Sequence, residues 1–261
     1  RSGTACRARL AHKSPYMEPS LMEDLAQRLV SWIQEQVEKA HCRGVVFGLS
    51  GGIDSAVVGV LCHRAFTKNS LGVIMPCHSN EEDTADALAV AQQFKIPTVT
   101  VMLDDIFDCL LKSLPNLEFS EQTKRLAEAN LKPRLRMTAL YYLANRLNYM
   151  VVGTSNKSEL SVGYFAKHGD GGVDIMPLAN LLKKDVVELA RNLGISKKIL
   201  EKPPSAGLWP GQTDEAEMGV TYKELDQYLA TGQASEKVRK KVNAMALASA
   251  HKRAPPATPP F

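Results

Sequence analysis

Eight residues, Gly48-Leu49-Ser50-Gly51-Gly52-Ile53-Asp54-Ser55, constrain this chain more than any other segment. They follow the apolar stretch Val45-Val46-Phe47 and precede Ala56-Val57-Val58-Gly59-Val60-Leu61. The order is strand, glycine turn, helix. Such a turn sets several backbone N–H groups beside the positive end of a helix dipole, which suits a phosphate. Adjacent glycines let the backbone approach phosphate oxygens with no Cβ in the way. Asp54 adds a carboxylate that would repel a phosphate, so a divalent metal bridging the two is its expected partner. The turn lacks the lysine of a G-x-x-x-x-G-K-[ST] loop and the spacing of a G-x-G-x-x-G fingerprint.

The remaining pattern extends this unit. Ser20-Leu21-Met22-Glu23 reads as a capping box opening a helix with the stripe Leu21, Leu25, Leu29, Ile33 and Val37. Strands are expected over 43–49, 71–75, 98–103 and 149–153, with a short fifth over 173–176. Helices are expected over 55–66, from a capping box at Ser79 to about 94, and over 120–147 with a break near Pro133. Others run from Asn180 to Gly194, from Thr221, and over 236–250, with loops over 156–172 and 203–213. Strands alternating with helices predict an α/β fold: a Rossmann-like parallel five-stranded sheet with helices on both faces. Ligands of such sheets bind outside the carboxyl ends of the strands, the edge that the Gly48 and Gly153 turns both face. Residues 19–261 read as one domain, after an irregular tail or expression remnant over 1–18.

Composition narrows the class. The 261 residues are 44% hydrophobic and 23% charged, as in a globular protein with a sizeable core. A net charge of +4 is too mild to argue for nucleic acid as a partner. The five cysteines form no C-x-x-C or zinc pattern, so a reducing, cytoplasmic setting is expected. No apolar run approaches the ~18 residues of a membrane span, and no membrane partner is expected.

Three further segments carry chemistry. Gly153-Thr154-Ser155-Asn156-Lys157-Ser158-Glu159 follows the fourth strand. Its Glu159, with Asp54, supplies two acids from two strand ends, enough for a Mg²⁺ that also takes phosphate oxygens. The segment from Gly163 to Asp174 packs glycines, two acids, a lysine, a histidine and two aromatics into one loop, a density typical of binding loops. Lys183 and Lys184 fall in the first turn of a helix, where the dipole disfavours cations unless an anion is near. The loop from Lys202 to Glu215 has the make-up of a lid that could carry Ser205 to phosphates.

Together GLSGGIDS, RLRM, VVGTSNKSEL, GYFAKHGDGGVDIMPL, EKPPSAGLWPGQTDE and HKR resemble the ammonia-dependent NAD synthetases, over about residues 21–256. The glycine turn by itself resembles the SGGxDS pyrophosphate loop of the wider ATP pyrophosphatase group, whose fold is adenine nucleotide alpha hydrolase-like. The resemblance implies ATP-dependent amidation of deamido-NAD through an NAD-adenylate, with ammonia as donor and AMP and pyrophosphate released. It implies ATP contacts at Gly48, Leu49, Ser50, Gly51, Gly52, Ile53, Asp54, Ser55, Thr154, Lys183 and Ser205, and Mg²⁺ ligands at Asp54 and Glu159. It implies deamido-NAD contacts at Arg134, Lys167, Asp174, His251 and Lys252, with Asp170 near the approach of ammonia. Asp54, Glu159, Asp170, Lys183 and Ser205 are thus the expected catalytic set. Ser205 stands where the family often has Thr, and keeps the hydroxyl. A homodimer is also implied. Glutamine-dependent members carry an extra amidase domain, for which the synthetase segments here leave no room. The other readings are a different pyrophosphate-loop enzyme, such as a GMP synthetase core or a tRNA-thiolating enzyme, and a catalytically silent nucleotide-binding module.

Overall fold

The computed structural model describes residues 19–115, 120–209 and 211–260. In chain order the elements are α1 (Pro19–Lys39), β1 (Gly44–Gly48), α2 (Ile53–Ala65), β2 (Ser70–Ile74), α3 (Glu81–Phe94), β3 (Thr98–Thr100) and α4 (Asp104–Ser113). There follow α5 (Glu121–Leu147), β4 (Tyr149–Val152), α6 (Lys157–Val162), α7 (Lys183–Asn192) and α8 (Lys197–Leu200). The last are α9 (Asp214–Met218), α10 (Tyr222–Thr231), α11 (Glu236–Ala248) and α12 (Ala250–Arg253). The expected tail over 1–18 lies outside the described residues.

The strands pair in parallel in the order β3-β2-β1-β4. Alternation along β1 divides the core. Val45 and Phe47 join a cluster with α1, α2 and α7, while Val46 joins Val73 and Val151 beneath α4 and α5. Helices therefore cover both faces, as a parallel sheet requires. A third cluster, with Val162, Met218, Leu225 and Val238, joins α6, α9, α10 and α11 beyond the sheet edge. The chain runs outward from β1 to β3 and then returns to place β4 on the other side of β1. The switch point lies between the carboxyl ends of β1 and β4, where doubly wound sheets bind ligands.

Among the described residues the sheet has four strands, not five. Ile175 makes one parallel bridge to Val152. The ladder stops there because the Asp174 carboxylate accepts from Val151 N at 2.8 Å, taking the place of a strand carbonyl. Four expectations on three helices also change. The buried stripe of α1 is Met22, Ala26, Val30, Ile33 and Val37, while Leu21 is exposed. Steps of four residues drift by about 40° each around a helix, so a straight face needs a three-residue step, here from Val30 to Ile33. Pro19 occupies the first helical position, so Ser20 lies inside α1 rather than capping it. Asn80, not Ser79, caps α3, accepting from Glu82 N at 3.1 Å. The Ser79 hydroxyl is already bonded to Cys77 N and Arg136 Nη2. Finally, α5 runs unbroken through Pro133, which is buried against the Gly169 backbone. That packing offsets the one intrahelical bond the proline forgoes.

Candidate active site

The glycine turn is shaped by its serines. The Ser55 hydroxyl donates to Gly52 O at 2.9 Å and accepts from Ser50 N at 3.2 Å. With that proton committed, the Ser50 hydroxyl is the donor in the 3.0 Å contact between the two. Gly51 holds φ +81, and a Cβ there would lie 2.3 Å from Asp83 O, so only glycine fits. Gly52 caps α2 without a side-chain acceptor, which leaves the first amides of the helix available to a ligand. Asp54, in the first turn of α2, points across to β4.

The stretch 156–172, beyond β4, is not the open loop expected of it. Asn156 and Glu159 form a capping box that starts α6: Asn156 Oδ1 accepts from Glu159 N, and Glu159 Oε2 from Asn156 N, both at 3.1 Å. The box turns Glu159 Oε1 inward. Asn156 Nδ2 in turn donates to Asp54 Oδ1 at 2.9 Å, joining the two strand ends directly. Lys183 completes the corner, with Nζ bonded to Asp54 Oδ2 and 3.6 Å from Glu159 Oε1. The three side chains are 17%, 15% and 7% exposed for Asp54, Glu159 and Lys183.

The first turn of α7 is built from three separate elements. Asp185 accepts from Leu182 N, the Ser158 hydroxyl from Lys183 N at 3.0 Å, and Asp226 Oδ2 from Lys184 N at 2.8 Å. Asn180, the expected cap, lies before this turn. Because protein groups take these amides, α7 offers the site a side-chain ammonium and not its dipole.

Two tyrosines and a second layer of acids surround the corner. Tyr222 OH lies 2.9 Å from Asp214 Oδ2 and 3.3 Å from Glu159 Oε1, and its ring lies 5.1 Å from Lys183 Nζ. Tyr164 OH lies 2.6 Å from Glu217 Oε2 and 3.1 Å from Asp214 Oδ1. Burial, and then the nearby Asp54 charge, pushes the Glu159 carboxyl up to about 8. Burial also raises Asp214. Lys183 shifts upward despite its burial, because Asp54 and Glu159 outweigh the desolvation. An excess of carboxylates over cations is what a divalent ion requires. The hard oxygens of Asp54 and Glu159 fit Mg²⁺, which usually takes one or two carboxylates together with substrate phosphates. Among the described residues no group of three or more candidate ligands is preformed. Beside Lys183 opens a cavity of about 650 Å³, lined by Ile53, Lys184, Val187, Leu200 and Pro203 among others.

The other expected residues fall in two places. Arg134, Lys167, His251 and Lys252 form a rim: Arg134 Nε donates to Lys167 O at 3.3 Å, and Lys167 Nζ to His251 O at 2.7 Å. Lys252 Nζ donates to Gly163 O at 2.9 Å and Phe165 O at 2.8 Å. Asp170 is exposed as a residue, yet its carboxylate is crowded by protein atoms and accepts from Ala166 N at 2.8 Å. That crowding raises its carboxyl. Asp174 sits apart, held by Val151 N and by Tyr141 OH at 2.9 Å. Thr154 is half-buried just past β4. Ser205 is exposed on the 203–213 loop, with its hydroxyl accepting from Gly207 N at 3.1 Å. The loop itself is anchored. Lys132 Nζ donates to Leu208 O at 2.9 Å, Arg125 lies 4.4 Å over the Trp209 ring, and Asp214 N donates to Pro204 O at 3.1 Å. Sequence reasoning did not assign Asn156, Tyr164, Tyr222, Asp214 or Asp226 to the site. The N-x-x-E spacing was the one local signal, since it predicts a cap that aims Glu159.

A family model described as NAD synthase matches residues 25–256. The chain belongs to the NAD synthase family. An NH(3)-dependent NAD(+) synthetase of Carboxydothermus hydrogenoformans is 51% identical over 237 residues, covering 91% of this chain and 97% of that one. Among solved structures, the NMN synthetase of Francisella tularensis superposes with a TM-score of 0.86 at 38% identity, covering 94% of this chain and all (100%) of its own. The NH3-dependent NAD synthetase of Campylobacter jejuni superposes with a TM-score of 0.75 at 28% identity, covering 93% and 99%. As a NAD synthase, the chain is a carbon–nitrogen ligase that uses ATP as co-substrate.

Proposed function

We propose that the chain amidates deamido-NAD with ammonia, holding Mg·ATP between the glycine turn and the Asp54–Glu159–Lys183 corner. The observation that carries this reading is the corner itself. Two carboxylates and one ammonium, from three separate elements, converge at the switch point of the sheet beside a turn shaped for phosphates. In this reading residues 48–55, Thr154, Lys183 and Ser205 bind ATP, and Asp54 and Glu159 hold the metal. Bound there, Mg²⁺ would neutralise charge on the phosphates as pyrophosphate leaves. The nicotinate carboxylate attacks the α phosphate, giving an adenylate and pyrophosphate. Lys183 exchanges its carboxylate partners for phosphate oxygens and steadies the leaving group. Ammonia then attacks the acyl carbon, releasing NAD and AMP. Asp170, with its raised carboxyl, is suited to take the proton that ammonium loses. Arg134, Lys167, Asp174, His251 and Lys252 bind the dinucleotide. The reading includes a single synthetase domain over 19–261, a homodimer and a reducing cytoplasmic setting. Free thiols at Cys42, Cys62, Cys77 and Cys109 support that setting, and among the described residues no helix is long and apolar enough to cross a membrane.

The likeness to an NMN synthetase favours a second reading, amidation of the corresponding mononucleotide acid at the same corner. One assay separates the two. Purified protein with ATP and Mg²⁺ receives either acid, and either ammonium or glutamine. NAD and AMP from deamido-NAD with ammonium alone is the expected result. A higher kcat/KM on the mononucleotide would establish the second reading, and no amide from either would overturn both. Asp170→Asn is expected to lose turnover with ammonium, and full turnover would remove Asp170 from the mechanism.

A further inference from the structure

One carboxylate ties the glycine turn to the foot of the 203–213 loop. The Asp86 side chain, in the second turn of α3, is 2% exposed. Its Oδ1 meets Lys198 Nζ at 2.7 Å, and its Oδ2 meets Lys202 Nζ at 2.6 Å. Burial would raise this carboxyl, but the two lysines outweigh it and hold it low. Lys202, the last residue before Pro203-Pro204, also reaches Asp83 Oδ1 at 2.7 Å. Further along the loop, a Cβ on Gly207 would lie 3.4 Å from Asp83 Oδ2. The base of the same side chain presses on the glycine turn, since a Cβ on Gly51 would come to 3.0 Å from Asp86 Cβ. The start of α3 is thus a wedge between the two segments assigned to ATP.

The chemistry of the tie explains why it would matter. Asp86 is buried while Lys202 is 26% exposed, so losing the lysine leaves a buried carboxylate short of counter-charge, and the contact fixes geometry more firmly than a pair of exposed side chains. The two prolines after Lys202 pass its position on to the loop with little slack. A displacement near 1 Å at a positioning group can cost about a hundredfold in rate.

We propose that Asp86 is a positioning residue for ATP. Through Lys202 it sets where the 203–213 loop begins, and so where Ser205 lies relative to the Gly51 turn. The proposal rests on ATP occupying that turn. Asp86→Asn keeps the shape beside Gly51 and removes the charge that holds both lysines. The expected result is a rise in KM for ATP of about tenfold, with KM for deamido-NAD changed less than about twofold. Amide hydrogen exchange over 203–213 also quickens in the ligand-free variant. Lys202→Gln reproduces both effects, and the double variant falls short of the sum of the two single ones, because the Asp86–Lys202 contact is lost in all three. Lys198→Gln, which spares the Lys202 contact, has the smaller effect. Unchanged loop exchange and unchanged KM for ATP in folded Asp86→Asn would overturn the proposal, as would an equal rise in both KM values. If Asp86→Asn does not fold, Lys202→Gln carries the same test. Loop exchange needs no substrate, so the tie can fail while NAD formation stands, and the ATP reading can fail while the tie stands.

Discussion

Lys183 and Lys252 are both lysines of the candidate site, and they meet opposite kinds of partner. Lys183 faces two carboxylates, so its charge is already balanced inside the protein. Lys252 is held by two backbone carbonyls and lies 5.5 Å over the Phe165 ring. Carbonyls satisfy its hydrogen bonds without cancelling its charge. Lys167 and Arg134 share the Lys252 pattern, each bonded to a backbone carbonyl. The corner is therefore a closed set of ion-pair partners, with carboxylate in excess, that must exchange when a ligand arrives, whereas the rim keeps cationic charge for an anionic ligand. The corner suits a metal and a changing phosphate, and the rim suits a substrate that is bound but not cleaved.

The largest expected effect tests the corner. Lys183→Met leaves Asp54 and Glu159 facing each other without a counter-charge. Stability to urea is expected to fall by about 3 kcal/mol, and kcat by about 100- to 1,000-fold. A variant as stable as the parent would mean the corner is not a closed set. A middle-sized effect tests the rim. Lys252→Met is expected to raise KM for deamido-NAD by about tenfold, leave KM for ATP unchanged, and lower stability by only about 1 kcal/mol. Equal changes in both KM values would erase the distinction between corner and rim.

The smallest effect uses pH to sharpen the comparison. Burial lowers the Lys252 pKa, so the rim loses its proton below the ordinary lysine value of 10.5. The Lys183 pKa is raised, so the corner keeps its proton past that value. As pH climbs from 8 toward 10, by about two units, KM for deamido-NAD should rise before KM for ATP does. Steady-state kinetics with each substrate varied in turn would check the order, and a reversed order would contradict the assignment of charge.

Much of this was legible in the sequence where one segment carries the whole cause. The glycine turn and α2 arise from eight contiguous residues and an apolar run, because φ > 0 at Gly51 and the burial of α2 are local demands. The start of α10 at Thr221 was readable for the same reason, since the Thr221–Glu224 box that caps it is local. Where the expectations slipped, a distant group had taken a local one's place. Ser79 could not cap α3 because Arg136 engages its hydroxyl. The fifth strand ended at one bridge because the Asp174 side chain replaced a strand carbonyl. Pro133 did not break α5 because the Gly169 segment packs against it.

By itself, the sequence determined the alternation of strands and helices, the turn beside β1, and the residue types that phosphate and metal chemistry need. Hydrophobic period, glycine conformation and capping act over a few residues and can be read in order. Only the tertiary structure decided that Asp54 meets Asn156, 102 positions away, and Lys183, 129 away. It alone decided that Asp226 on α10 completes the first turn of α7, and that Asp86 joins the turn to the loop. These are contacts between side chains at the ends of different elements. Their partners are chosen by how the sheet and its helices pack, which no local pattern records.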